Sequence, residues 1–229
     1  MLCFRAQDQP SLDTPSSLLV PSESGMYRTT IGIAGGSASG KTTLADALAA
    51  RLEAVIIRTD DYYRPLDHLP FEERCRVNFD DPEAIDHELL QQHIELLRAG
   101  RAIDAPRYDF TKHTRSPRRH KVLPRKTVMI EGIFSLCYSP IREICDVSIF
   151  VDTGEEECLR RRLDRDVRER GRDEKEVMAR FRNQVTPMFY RYVQPIRDLA
   201  DVVVSGEVDT DLNVAAVLNF IDDRISVPA

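Results

Sequence analysis

From Tyr27 onward, short apolar runs alternate with stretches of helical periodicity. Thr30–Ala34, Ala54–Arg58, Thr127–Ile130, Val147–Val151 and Asp201–Val204 have strand length and are rich in β-branched residues. Between them, helical patterns run over Lys41–Leu52, Pro82–Ala99, Glu155–Glu169, Glu174–Tyr190 and Leu212–Arg224. In Pro82–Ala99, Ile85, Leu89, Leu90, His93, Leu96 and Leu97 fall on one face, and Gly100 offers a stop. Strand and helix in alternation predict an α/β fold, with a five-stranded, mostly parallel sheet covered by helices on both faces.

Two segments break this rhythm. Residues 101–126 contain Pro106, Pro117 and Pro124, with seven Lys/Arg from Lys112 to Lys126, and predict a small hairpin-like excursion at the edge of the core. Residues 1–26 are rich in Ser, Pro and acids, and predict a disordered N-terminal extension ahead of one domain spanning 27–229. Leu18-Leu19-Val20 is too short for a signal-peptide core. The 229 residues carry a net charge of −6, which argues against nonspecific nucleic-acid binding. No apolar run approaches the roughly 18–20 residues of a membrane span. Five cysteines without a C-x-x-C suggest neither a disulfide framework nor a zinc site, so a cytoplasmic protein with reduced thiols is expected.

The most specific chemistry follows the first strand. Gly35, Gly36, Ser37, Ala38, Ser39, Gly40, Lys41, Thr42 and Thr43 spell G-x-x-x-x-G-K-T, and a good helix former follows them. This is the phosphate-binding P-loop in its required context, and it predicts the three-layer sandwich of the P-loop NTPases. Such a loop converges backbone N–H groups on one point, and the following helix adds its positive end. Lys41 is placed to meet the β- and γ-phosphates, and the Thr42 hydroxyl to complete a Mg2+ shell.

In open α/β sheets the ligand sits beyond the carboxyl ends of the strands. Asp60 and Asp61 follow the second strand run and Glu131 the third, so these carboxylates project toward the P-loop. A carboxylate there holds Mg2+ or takes a proton from an attacking hydroxyl. A second cluster runs through Arg160, Arg161, Arg162, Arg165, Arg168, Arg170 and Arg172, with Asp164, Asp166 and Glu169 interleaved. Most of such a run is a solvated helix face with i,i+4 ion pairs. At its end Gly171 interrupts the helix between Arg170 and Arg172, which suits an arginine-rich lid closing over phosphates.

Several ordered motifs extend this pattern: Thr59-Asp60-Asp61-Tyr62-Tyr63-Arg64, Asn78-Phe79-Asp80-Asp81-Pro82 and Pro106-Arg107-Tyr108-Asp109-Phe110 followed by His113-Thr114-Arg115. Ile130-Glu131-Gly132-Ile133, Phe150-Val151-Asp152-Thr153 and the segment Arg165 to Arg172 complete the set. From about Thr29 to Val204 the chain resembles the uridine/cytidine kinases. The resemblance implies transfer of the γ-phosphate of ATP (or GTP) to the 5′-hydroxyl of uridine or cytidine, giving UMP or CMP in pyrimidine salvage. It implies that Asp60 is the catalytic base, that Lys41 and the P-loop amides hold the phosphates, and that Thr42, Asp60 and Glu131 surround Mg2+. Asp80 matches the acid that grips the ribose hydroxyls, and Tyr63 and Phe79 line the base and sugar pocket. Tyr108 and His113 match residues at the pyrimidine edge, and Arg162 and Arg172 match arginines that contact the nucleoside. The resemblance also implies a homo-oligomer, typically a tetramer.

Three positions depart from the family pattern. Arg180 stands on a helix where glutamine is usual near the nucleoside, Asp81 replaces the histidine of N-[FY]-D-H-P, and the segment 205–209 lacks the usual proline-arginine-glycine. Other readings are a related P-loop kinase (phosphoribulokinase or pantothenate kinase), a noncatalytic nucleotide-binding regulator, or an RNA-binding protein using residues 112–126. The first should lack Y-D-F-x-x-H with E-R-G-R, and the second should lose Asp60 or the lid arginines. The third would want exposed aromatics among its basic residues, and none follows Phe110 in that segment.

Overall fold

The computed structural model describes residues 29–169 and 171–225. The expectation for residues 1–26 therefore lies outside the described residues, as does the placement of Arg170. Among the described residues, nine strands run in chain order: β1 (Thr29–Gly35), β2 (Val55–Arg58), β3 (Ile103–Ala105), β4 (Tyr108–Asp109), β5 (Thr114–Arg115), β6 (His120–Val122), β7 (Thr127–Glu131), β8 (Val147–Asp152) and β9 (Val202–Ser205). The α-helices are α1 (Lys41–Leu52), α2 (Phe71–Arg74), α3 (His87–Arg98), α4 (Ser139–Glu143), α5 (Glu155–Arg168), α6 (Glu174–Arg180), α7 (Thr186–Met188) and α8 (Thr210–Ile225).

Five strands form one sheet in the order β2-β7-β1-β8-β9, and every pairing in it is parallel. The period-2 alternation of a strand separates its two faces. Ile31, Ile33, Met129, Val147, Ile149 and Val151 point to one side, where Leu44, Ala45 and Leu48 of α1 and Val214, Val217 and Ile221 of α8 cover them. Ala34, Val128, Ile130 and Phe150 point to the other, against Leu90, Ile94 and Leu97 of α3 and against Val193 and Ile196. Runs buried on both faces are what made these strands apolar throughout.

The helical pattern over Pro82–Ala99 is divided in the structure. A 3-10 turn covers Pro82–Ala84, Ile85 is extended and bridges to Tyr63, and the helix starts at His87. Asp86 makes the division, because its carboxylate accepts the Leu89 N–H at 3.2 Å as an N-cap. The pattern over Glu174–Tyr190 begins as α6 but passes through π-helical turns at Phe181–Val185 and Phe189–Val193. Pro187 and Pro195 follow these turns closely. A proline removes an N–H from the i→i−4 ladder, and the wider turn absorbs that interruption. The excursion at 101–126 consists of two antiparallel pairs, β3 with β6 and β4 with β5.

Candidate active site

The P-loop occupies residues 35–40 between β1 and α1, at the centre of the sheet where the strand order reverses. This is the switch point at which α/β sheets open a crevice. Gly40 has φ of 98° and Gly35 carries its backbone within reach of β8, so that a Cβ on it would lie 2.6 Å from the Val151 carbonyl oxygen. Glycine is required at both, by backbone conformation at one and by space at the other. Lys41 is buried and donates from Nζ to the Gly36 carbonyl at 3.1 Å. An ammonium has three protons, so its remaining donors are available to an incoming oxygen.

The strand-end carboxylates meet this loop. In the pairing of β2 with β7, Arg58 lies opposite Glu131, and Glu131 is also in register with Ile33 of β1. Glu131 Oε1 accepts from the Thr42 hydroxyl at 3.0 Å, and Oε2 is 3.3 Å from Arg58, which also holds Asp46 of α1. Burial raises the Glu131 carboxyl above the usual range, opposed by the charge of Lys41. Asp60 sits in the 3-10 turn Thr59–Tyr62. That turn is clamped: Arg115 donates to the carbonyls of Tyr63 (2.7 Å) and Tyr62 (2.9 Å) and pairs with Asp86 at 3.0 Å. The Tyr62 hydroxyl shares a 2.8 Å hydrogen bond with His93 Nδ1. Asp61 faces away to accept the Tyr108 N–H at 3.1 Å, fixing the β4–β5 hairpin to the turn.

One cleft joins these groups to the remaining sequence-selected residues. Its walls include Ser37, Lys41, Thr42, Asp60 and Glu131 on the P-loop side, with Tyr63, Phe79, Asp80, Tyr108 and His113 opposite. Arg162, Arg165, Arg172 and Arg180 close a third side. The His113 imidazole stacks on Phe79 with centroids 5.4 Å apart and planes inclined by 20°. Burial, followed by the charges of Arg172 and Arg180, lowers its pKa and so favours the neutral ring. The Tyr63 hydroxyl donates to the Phe79 carbonyl at 3.0 Å, whereas the buried Tyr108 hydroxyl has no hydrogen-bond partner among the described residues. A buried polar group left so is a place where a ligand atom gains most. Burial also raises the Asp80 carboxyl, against the charges of Arg162 and Arg180.

Arg162 is buried, donates to the Ser37 hydroxyl at 2.9 Å and lies 3.8 Å from Asp80. It thereby ties the P-loop to the opposite wall. Arg180 donates to the Cys75 carbonyl at 3.1 Å, which pins α6 to the loop leading to Phe79. The Arg180 guanidinium also lines the cleft, where its charge acts on Asp80. The other departures have structural partners too: Asp81 caps the 3-10 turn by accepting from Glu83 N at 3.0 Å. Arg161 donates to the Gly206 carbonyl at 3.0 Å, and Glu207 accepts from Gly154 N at 2.9 Å, ordering the C-terminal edge beside the P-loop. Gly171, beyond the end of α5 at Arg168, has φ of +63°, a left-handed conformation that favours glycine. The family segment Arg165 to Arg172 includes Arg165 and Asp166, but neither takes a role of its own from that motif, and their charges read as part of a solvated helix face. Asp166 is fully buried, whereas Asp164 is half exposed.

If Arg180 serves the loop and not a base edge, Arg180→Gln will leave the ratio of kcat/KM for uridine and cytidine, the two acceptors that the family resemblance implies, within about threefold, or under ~0.7 kcal/mol. Parallel kinetics on the two nucleosides measure this, and a tenfold switch would place Arg180 at position 4 of the base.

A uridine kinase from Erwinia tasmaniensis is 43% identical over 181 residues, covering 76% of this chain and 85% of that protein. A uridine kinase from Klebsiella pneumoniae is 41% identical over 203 residues, covering 84% and 95%. The solved phosphoribulokinase from Rhodobacter spheroides superposes with a TM-score of 0.57 at 16% identity over 78% of this chain and 70% of that one, a likeness of fold. The model of the phosphoribulokinase/uridine kinase family matches residues 30–213, and with relatives this similar along most of its length the chain belongs to that family.

Proposed function

We propose that the chain is a uridine/cytidine kinase, transferring the γ-phosphate of ATP (or GTP) to the nucleoside 5′-hydroxyl to give UMP or CMP in pyrimidine salvage. The supporting observation is the single cleft in which Lys41 and Asp60 face Asp80, Tyr108 and His113. A phosphate-binding wall and a wall able to read a sugar and a base stand across one space. Two relatives named uridine kinase support the same acceptor.

In this reading Asp60 accepts the 5′-hydroxyl proton as the oxygen attacks, and its clamped turn holds the carboxylate at the attacking side. Lys41 and the P-loop amides neutralise charge on the migrating phosphoryl group. Asp80 accepts two vicinal ribose hydroxyls, and Phe79 and Tyr63 pack on the sugar and base. The neutral His113 ring presents either a donor or an acceptor, as its tautomer requires, and so accommodates both the carbonyl of uracil and the amine of cytosine at position 4. Arg162 and Arg172 contact the nucleoside, and Arg170 with Arg172 closes over the phosphates and excludes water.

The oxygen donors Thr42, Asp60 and Glu131 fit Mg2+, a hard cation that takes one or two carboxylates and completes its shell with phosphate oxygens and water. Among the described residues no three His, Cys, Asp or Glu side chains are grouped so as to hold a metal ion by themselves. Bound there, Mg2+ would neutralise the β- and γ-phosphate oxygens. The proposal extends to a cytoplasmic homo-oligomer with one kinase domain over 27–229. No helix among the described residues is long and apolar enough to cross a membrane.

The test is a coupled ADP-release assay over a panel of nucleosides, ribulose 5-phosphate and pantothenate. Turnover with uridine and cytidine is expected. Turnover confined to a sugar phosphate or pantothenate would overturn the assignment, and no turnover with any acceptor would favour a nucleotide-binding regulator.

A further inference from the structure

Asp166 lies at the end of α5, wholly buried, where carboxylates are rarely left without charged partners. Among the described residues, three arginines of the cleft converge on it. Arg165 Nε is 2.9 Å from Oδ1, while Arg172 Nη1 and Arg162 Nε are 3.4 and 3.6 Å from Oδ2. Its main chain takes part as well, since the Asp166 carbonyl accepts the Arg172 N–H at 3.1 Å.

The three arginines reach different regions. Arg162 continues to Ser37 of the P-loop and to Asp80 of the opposite wall. Arg172 lies on the acceptor side with His113. Arg165 lines both the cleft and the outer face of the P-loop, where Ala38, Thr43 and the segment from Gly206 to Thr210 lie. One carboxylate therefore sits between the guanidiniums of the phosphate side and those of the acceptor side.

We propose that Asp166 is a positioning residue for phosphoryl transfer: one buried carboxylate sets Arg162, Arg165 and Arg172 in a common arrangement and links donor-side to acceptor-side geometry. This rests on the nucleoside-kinase reading. The physical need is plain. Three like charges around one cleft repel one another, and long arginine side chains have many rotamers to lose. A central anion offsets the repulsion and selects the rotamers before substrate arrives. Asp166 does not touch the reacting atoms in this account, so its loss acts through the arginines.

Asp166→Asn keeps the shape, removes the charge and turns an amide donor toward guanidinium donors. Its kcat/KM for uridine is expected to fall about 10²-fold, as for a misplacement of groups near the chemistry. A merely structural role would lower the melting temperature and scale activity with the folded fraction, so both are measured well below the melting transition. The distinguishing readout is a double-mutant cycle with Arg172→Gln. If Asp166 acts through Arg172, the double variant will have kcat/KM within about threefold of the weaker single variant. Multiplicative effects, or a folded Asp166→Asn enzyme with wild-type kcat/KM, would overturn the proposal.

Should Asp166→Asn fail to fold, the cycle of Arg165→Gln with Arg172→Gln carries the same test. Both arginines meet one carboxylate, so less-than-multiplicative losses are expected and fully multiplicative ones overturn the linkage. The wild-type enzyme assayed in parallel separates the two levels. If it turns over another acceptor and not uridine or cytidine, the nucleoside reading fails, and the same cycle run with that acceptor decides the role of Asp166.

Discussion

Asp60→Asn is expected to lower kcat by roughly 10²–10⁴, the span typical of a positioned general base, while changing nucleoside affinity much less. The amide is isosteric but cannot accept the hydroxyl proton, and it is a poorer partner for a divalent cation. The turn that carries it should survive the change, because Arg115 and the Tyr62–His93 bond hold its neighbours through groups other than the Asp60 side chain. Steady-state kinetics with equilibrium nucleoside binding check this. A loss confined to KM would make Asp60 a binding group. Asp61 is then a poor substitute as base, since its carboxylate is turned away to accept from Tyr108 N.

Lys41→Ala is expected to leave the fold standing and to cost about 10²–10³ in kcat, the usual scale for removing one preorganised group aimed at developing charge. The stability cost should be small. In the structure the ammonium makes one hydrogen bond, to the Gly36 carbonyl, and such a bond contributes about 1 kcal/mol net. Circular dichroism and steady-state turnover, measured on the same preparation, separate the two effects. A folded variant with near-normal kcat would remove Lys41 from the phosphate site and with it the P-loop assignment.

The two substitutions act on opposite ends of one transfer, the attacking oxygen and the migrating group. Both ends depend on the same three-strand register. Glu131 of β7 aligns with Arg58 of β2 and Ile33 of β1, so the turn after β2 and the loop after β1 open into one crevice. Sliding any of these strands by one residue would turn its side chains to the other face. The apolar residues beneath the crevice therefore help to set its geometry.

The strands were legible from the chain alone because the sheet is buried on both faces, and that burial demands unbroken apolar runs. Lys41, Thr42, Asp60 and Glu131 were legible because strand-end positions in a parallel sheet converge by topology, whatever the details of packing. The break at Ile85 was not legible. Its apolar phase continues that of Leu89 and Leu90, and only the bridge to Tyr63 and the cap by Asp86 show where the helix starts. The π-helical turns before Pro187 and Pro195 were likewise hidden, because a proline in a helical pattern signals an interruption without saying how the chain absorbs it.

Asp166 marks the boundary most sharply. Asp164 and Asp166 stand in one arginine-rich run with identical chemistry, yet Asp164 faces solvent beside Arg168 and Asp166 is buried against Arg162, Arg165 and Arg172. Sequence by itself determined the layered α/β fold, the P-loop and the family pattern, because these follow from local periodicity and ordered motifs. Which of two like residues is buried among the arginines, and that Arg180 bonds to the Cys75 carbonyl, was decided by tertiary structure. Those outcomes depend on helix phase and on partners up to a hundred residues distant, and no local pattern encodes either.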